Sequence, residues 1–503
     1  MVLTSFSYIA FLFLLLFVYY VVPKKIQWVI LLIFSMIFIG YSVSSVSIFF
    51  FLLYSLVVSY AGSLIIYKLK SPIKKRNALI IVIILLVVQL LLLKYSILIQ
   101  NLSGGLFKIS SFKKYVAPIG ISFYTLIMLG NIIDVYRMAY VPQKNILKHT
   151  LFVFFFPHMI SGPITRYSDL KEQLFVGHKF DYVKVTFGLQ RVIWGFFKKL
   201  VISERLSVLV NTVYGDTITY QGFYIIFATI CFAFQLYTDF SGCMDIVIGS
   251  AEALDIKMPE NFQTPFFSQT ISEYWRRWHI TLGTWMKDYI FYPLLKSNFF
   301  QSIQRFATSK IGKKWGKKIP VYLGMIILWT FVGAWHGGAY NYIFGSGILH
   351  CFYIISGELL SPFFDKIAKI FHINQKNFSF KIFRIIRTFI LVCIGLLFFR
   401  SLSFSVAVTN FIRIFATFNI WIFFDKSLYN LGLDEMDFRI GIIALLLLFA
   451  GSLLQQKYRI REKLAEQNII FRWILLYALL FAILIFGFYG GGYDPSAFIY
   501  GNF

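Results

Sequence analysis

Two histidines stand where imidazole chemistry would have a purpose. His336 lies in LWTFVGAWHGGAYNY, after an uncharged run from Val321 to Trp335 and directly before a Gly-Gly pair. Imidazole takes and returns a proton near neutral pH without large tuning, so a histidine in apolar surroundings suits general-base work. The glycines let backbone or a ligand come close to it. His279 sits in ISEYWRRWHITLGTWMKDYIFYPL (271–294), where Arg276 and Arg277 separate Trp275 from Trp278. Read as one helix, that stretch puts Trp275, Trp278, His279 and Leu282 on one face and turns both arginines partly away.

Each feature has a plainer reading. A backbone carbonyl between helices would satisfy His336. The EYWRRWH segment would also serve as a surface helix, with tryptophans at the headgroups and arginines on phosphates. That surface reading leaves the preceding polar run unexplained. YTDFSGCMDIVIGSAEALDIKMPENFQTPF (237–266) carries Asp239, Ser241, Asp245, Glu252, Asp255, Glu260 and Asn261. Asp239 and Asp245 adjoin an apolar run; once buried they need cationic partners, and Arg276 or Arg277 are the natural ones. Of the other histidines, His149, His178 and His372 lie in polar or loop-like contexts. His158, beside prolines, reads as a cap or structural hydrogen bond, and His350 in GSGILHCFY is open.

The elements that must position these groups are membrane helices. The 503 residues are 58% hydrophobic and 14% charged, with a mean hydropathy of +0.73. Such a composition defines an all-α polytopic integral membrane protein. The net charge of +26 gathers in short loops between apolar runs. That is the pattern of cytoplasmic loops facing anionic lipid, not of nucleic-acid binding. Cys231, Cys243, Cys351 and Cys393 are scattered, with no CxxC and no metal spacing, and read as small buried hydrophobes. Residues 7–22 lack a preceding Lys or Arg and a cleavage site, so they read as a retained first span. A second span begins at 26, a third covers 46–67 and a fourth 78–93. The basic loops 23–26 and 68–77 fall on one side, which makes that side cytoplasmic and the N-terminus extracytoplasmic. Further spans or half-spans fall near 116–135, 146–160, 188–203, 222–248, 320–337, 339–357, 382–400, 438–455 and 471–488. Several are short or interrupted by Pro and Gly, as in re-entrant elements lining a cavity. The polar tracts are 164–186, 250–275 and 301–319, the last placed in the cytoplasm by its lysines.

Taken together, the motifs resemble the membrane-bound O-acyltransferase (MBOAT) family, in the bacterial branch that holds alginate O-acetyltransferase and teichoic-acid D-alanyltransferase. The resemblance rests on YTDFSGCMDIVIG, on MPENFQTPFFSQTISEYWRRWHITLGTWMKDYIFYPL and on WTFVGAWHGGAYNYIFGSGILH. It is supported by PIGISFYTLIMLGNIIDVYR (118–137), FFFPHMISGPITRYSDL (154–170) and the terminal FIYGNF (498–503), a less aromatic ending than the family's. The resemblance implies a ring of transmembrane and re-entrant helices around a central funnel, with a tunnel joining an inside donor site to an outside acceptor site. It implies one membrane-embedded domain over 1–503, divided into N-terminal helices (1–110), a catalytic core (111–360) and C-terminal helices (361–503). The histidine of the family's WHG motif matches His336 and that of its WRRWH motif matches His279. These are the expected catalytic and second active-site residues.

The chemistry agrees with that expectation. Acyl transfer to a hydroxyl needs a base, a donor to the developing oxyanion, and exclusion of water from the thioester. His336 is the expected base; His279 would orient it, donate to the oxyanion or handle the leaving thiolate. Arg276, Arg277 and Lys287, with Trp335, would hold the donor and its phosphates. Asp239, Ser241, Asn261, Trp275 and Trp278 would brace the helices. No metal and no bound cofactor is expected; the donor would be acetyl-CoA or another acyl thioester from the cytoplasm. The expected partners are the bilayer, a polysaccharide acceptor and an extracytoplasmic SGNH-type transferase, with residence in the cytoplasmic (inner) membrane. No GxSxG elbow, DHHC-type cysteine motif or Walker loop occurs, which argues against a serine hydrolase, a palmitoyltransferase of that type and an NTPase. D-alanyl transfer from a carrier protein to teichoic acid is the alternative within the class. A transporter or flippase is the alternative outside it, although the polar residues concentrate in one stretch instead of recurring in two halves.

Overall fold

Apolar runs of 18 or more residues have one economical structure in lipid, because only a helix satisfies its own backbone donors and acceptors there. In a computed structural model of the chain, the described residues are 1–41, 43, 45–95, 120–159 and 162–489. Pro118–Ile119, Ile160–Ser161 and the closing FIYGNF, all within the motifs above, lie outside them. Among the described residues eight helices are long and apolar enough to cross a membrane: Val46–Lys68, Pro72–Lys94, Phe223–Ala253, Asn298–Trp335, Tyr340–Ile370, Phe378–Arg400, Glu435–Gln455 and Ile469–Phe486. A 23-residue helix such as Val46–Lys68 is about 34 Å long, enough for a hydrocarbon core of about 30 Å. The chain is a multi-pass, all-helical membrane protein; its described residues form no β-strand, only one isolated bridge between Phe262 and Trp278.

Two compact units divide the chain. One comprises Met1–Val201, Thr238–Pro259 and Arg459–Phe503; the other comprises Ile202–Tyr237 and Glu260–Tyr458. In the first, Ser71 caps the helix that opens at Pro72, with its Oγ accepting from the Lys74 amide. Proline suits that first turn because its missing N–H would have no helical partner there. Small polar groups join helices: Ser55 donates to Gln89 Oε1 at 2.7 Å, and Gln89 donates to the Phe51 carbonyl at 2.9 Å. His149 is not loop-like as its polar neighbours suggested. It is buried in the helix Ile146–Val153 and meets Ser59 Oγ at 3.1 Å. His158 fits the structural reading, with Thr165 Oγ1 at 2.8 Å and the Val153 carbonyl at 3.2 Å.

The first unit also holds a buried charge cluster. Lys199 meets Asp239 at 2.6 Å, and Asp245 meets Lys198 at 2.6 Å and Arg191 at 2.9 Å. Lys198 also donates to Ser241 at 2.8 Å. The expected partners, Arg276 and Arg277, are not the ones used. The lysines occupy a π-helical turn, Phe197–Ser203, that follows the helix Tyr182–Phe196. A Cβ at Gly195 would lie 2.6 Å from the Gly242 carbonyl, so glycine permits the close helix approach on which these short ion pairs depend.

In the second unit, the core Ile225, Leu397, Phe398 and Ala407 ties the start of the helix Phe223–Ala253 to the helices Phe378–Arg400 and Phe404–Ala416. Residues 301–319, the lysine-bearing polar tract, belong to the helix Asn298–Trp335. That helix is interrupted at Gly312, whose φ of 84° lies in the left-handed region.

Candidate active site

His279 owes its position to a break within the stretch 271–294, read above as one helix. The helix Ile271–Arg277 begins with Thr270, whose Oγ1 accepts from the Glu273 amide at 3.1 Å, while Glu273 Oε2 accepts from the Gln269 amide at 2.8 Å. This is a close variant of the capping box. The helix stops because Trp278 turns extended to form the bridge to Phe262. The Gln263 amide donates to the Arg277 carbonyl at 3.0 Å, and the Ile280 amide donates to the Asn261 carbonyl at 3.1 Å. His279 then takes φ 47° and ψ 50° before a second helix, Ile280–Met286. The single face of Trp275, Trp278, His279 and Leu282 therefore does not form. A non-glycine residue in this conformation costs about 1–3 kcal/mol and persists where the surroundings impose it, often at functional sites.

Asn261, fully buried, imposes it. Its Oδ1 accepts from the Thr281 amide at 3.1 Å and from Thr281 Oγ1 at 3.0 Å, and lies 3.3 Å from His279 Nδ1. It thereby caps the Ile280–Met286 helix, for which His279 supplies no side-chain cap. A backbone N–H can only donate, so the atom facing it is the amide oxygen, and His279 Nδ1 carries the hydrogen. The basic lone pair of neutral His279 is consequently on Nε2. Burial pushes the His279 pKa well down, and the nearby His336 lowers it further.

His336 is delivered by the long helix Asn298–Trp335, which it caps in an α-region conformation. It is 3% exposed, with the Phe399 ring edge-on at 5.7 Å. Both following glycines are required. Gly338 has φ 75°, and a Cβ on Gly337 would lie 2.8 Å from the Tyr342 ring. Further back, Cβ atoms at Gly333 and Gly347 would lie 2.6 Å from the Ile343 backbone and 2.5 Å from the Trp329 carbonyl. The helix therefore packs backbone to backbone against the π-helical turn Ile343–Ile348.

The remaining expected site residues are distributed as follows. Arg276 and Lys287 are exposed. Arg277 pairs with Glu273 at 2.7 Å and donates to Thr264 Oγ1 at 3.3 Å. Trp335 is buried next to His336. Trp278 stacks on Tyr274 at 5.5 Å, and Trp275 meets Trp329 at 4.9 Å. Asp239 and Ser241 belong to the charge cluster of the first unit. Sequence reasoning missed Thr281, the lysine pair Lys198–Lys199 and the aromatic setting of His350. The lysines carried a signal, since two charges inside WGFFKKLVIS are anomalous for an apolar run. The described residues contain no cluster of His, Cys, Asp or Glu able to hold a metal, and the cysteines form no disulfide.

The fold and this centre define a class: a polytopic membrane protein with two buried histidines, His279 and His336, in one compact unit. Residues 82–310 match the model of MBOAT, the membrane-bound O-acyltransferase family. It is 34% identical over 297 residues to the probable alginate O-acetylase AlgI of Pseudomonas syringae pv. tomato, covering 58% of this chain and 50% of that protein. It is 28% identical to the peptidoglycan O-acetyltransferase of Helicobacter pylori, over 47% of this chain and 46% of that protein. It is 27% identical to the teichoic acid D-alanyltransferase of Bacillus subtilis, over 58% of this chain and 70% of that protein. The chain spans about half the length of the alginate relatives it matches.

Proposed function

We propose that the protein is an O-acyltransferase that moves an acetyl group from a cytoplasmic thioester, acetyl-CoA, towards hydroxyl groups of a cell-surface or extracellular polysaccharide. The observation that carries this reading is the buried His279 and His336, with His279 held in one tautomer by Asn261, in a chain whose residues 82–310 match the MBOAT family model. His336 removes the proton of the attacking hydroxyl as its oxygen bonds the thioester carbonyl carbon. The carbon–sulfur bond then breaks, and the same proton neutralises the departing thiolate, leaving an ester and a free thiol. Burial keeps His279 neutral at rest, which matches a cycle that borrows one proton and returns it. Because His279 Nδ1 donates to Asn261, its part is played at Nε2, as acceptor from the thiol or hydroxyl side. Exposed Arg276 and Lys287, together with Arg277 and Trp335, hold the donor and its phosphates. The apolar surroundings keep water from the thioester. An extracytoplasmic SGNH-type transferase completes delivery to the polymer.

The test is purified protein in proteoliposomes with radiolabelled acetyl-CoA, scored for free thiol and for acetyl ester on added oligosaccharide. His336→Gln is expected to lower turnover by about 10²–10⁴-fold, the usual contribution of general acid–base catalysis, in protein that still inserts and melts normally. Turnover within twofold of the wild type would remove His336 from the base role. Turnover only with a D-alanyl carrier-protein thioester would reassign the donor, and solute uptake without acyl chemistry would overturn the enzyme reading.

A further inference from the structure

We propose that His350 is a positioning residue for the two-histidine centre, an imidazole against which both histidine-bearing segments are registered. The inference rests on the acyl-transfer reading above. His350 is 3% exposed, in the first turn of the helix Leu349–Ile370. Its ring meets Trp275 edge-on at 5.2 Å, lies parallel to Tyr274 at 6.4 Å and to Trp329 at 6.3 Å, and meets Tyr353 edge-on at 6.0 Å. Trp275 and Trp329 also touch each other, at 4.9 Å.

These rings belong to the two segments that carry the candidate catalytic groups. Tyr274 and Trp275 occupy the helix whose broken end delivers His279, and Tyr274 stacks on Trp278, the residue before it, at 5.5 Å. Trp329 lies two turns before His336 in the helix Asn298–Trp335, on the same helical face. A shift of either segment is thus felt at one ring. Behind that ring is Gly395, where a Cβ would lie 2.7 Å from His350 Nε2. The seat therefore fits imidazole and leaves little room for a larger ring. Among the described residues, the buried His350 Nδ1 and Trp275 Nε1 have no hydrogen-bond partner, and the ring contacts set the place of the imidazole. Positioning matters because a displacement of about 1 Å from a productive geometry is enough to cost about 10² in rate.

The experiment measures acetyl transfer by reconstituted full-length protein for His350→Ala and for Trp329→Phe, which keeps an aromatic ring in the stack. Both are expected to lower kcat about 10–100-fold with the donor KM within about twofold. The acid limb of kcat is expected to move to higher pH, because a displaced His279 is less completely buried and farther from His336, the two causes that lower its pKa. His350→Phe is expected to be no better than His350→Ala, since Gly395 leaves no room for the larger ring. If His350→Ala does not fold, Trp329→Phe carries the test alone. Wild-type kcat and pH profile in a folded variant, with His336-dependent transfer intact, would overturn the positioning role. Transfer that does not depend on His336 would instead overturn the function on which it rests.

Discussion

A backbone amide can only donate a hydrogen bond, and that asymmetry propagates from Thr281 through Asn261 to His279. The Thr281 amide fixes the Asn261 oxygen in place, and the oxygen fixes the hydrogen on His279 Nδ1. Burial and the charge of His336 both lower the His279 pKa. The folded value therefore lies below the ordinary one of about 6.5. The sign follows from linkage. The group contributes stability above about pH 6.5 that is lost as pH falls through the folded value, where His279 gains a proton the fold disfavours. Asn261→Asp keeps the cap on Thr281 but sets a carboxylate against Nδ1–H, which favours imidazolium. It is expected to shift the acid limb of turnover to higher pH while melting close to the wild type. Asn261→Ala removes the cap and is expected to cost about 0.5–2 kcal/mol, read as a lower melting temperature. An unchanged acid limb in Asn261→Asp would separate His279 ionisation from the rate.

At the scale of elements, the charge cluster follows a different rule from the histidines. Lys199 and Asp239 are 3% and 0% exposed and 2.6 Å apart, so removing one member takes the paired counter-ion from a buried charge. Lys199→Ala is expected to destabilise the protein by about 3–5 kcal/mol, with Lys199→Met plus Asp239→Leu recovering much of that loss. Thermal unfolding in detergent would show it, and a wild-type melting temperature for Lys199→Ala would refute it. The cluster also shows what local pattern conveys. The third expected span, 46–67, matches the helix Val46–Lys68 because a long apolar run in lipid has one structural outcome. The helix break at Trp278–His279 was illegible, since it depends on pairing with residues 261–263, which no local periodicity reports. The pairing of Asp239 and Asp245 was misassigned for the same reason. The requirement for a partner was readable from burial cost, but its identity depended on which helix packed against them, and Gly195 and Gly242 decided that. His336 was legible because the long helix stops at WHGG, where the glycines mark the turn in the sequence itself.

For the whole molecule, charge and hydropathy set a topology that geometry alone leaves open. The eight long helices need lipid on their exposed apolar faces; Ile469–Phe486, for example, buries only Ile483. The short helices Phe6–Val21 and Gln27–Gly40, with 16 and 14 residues, extend about 24 Å and 21 Å, less than the usual hydrocarbon thickness of about 30 Å. The bilayer must thin around them, or their ends must lie in the headgroups, where Lys24 and Lys25 follow the first helix. The basic loops at 23–26 and 68–77 share one side if the two helices between them, Gln27–Gly40 and Val46–Lys68, both cross, and lysine-rich short loops are retained in the cytoplasm. Lys25 and Lys74 are both exposed, and the native cysteines are buried or partly so, which keeps background labelling low. Cysteines placed at 25 and 74 are therefore expected to react with a membrane-impermeant maleimide in inside-out vesicles and to be protected in right-side-out vesicles. A tag ahead of Met1 is expected to show the reverse. Labelling of position 25 from one side and position 74 from the other would mean that Gln27–Gly40 and Val46–Lys68 do not both cross.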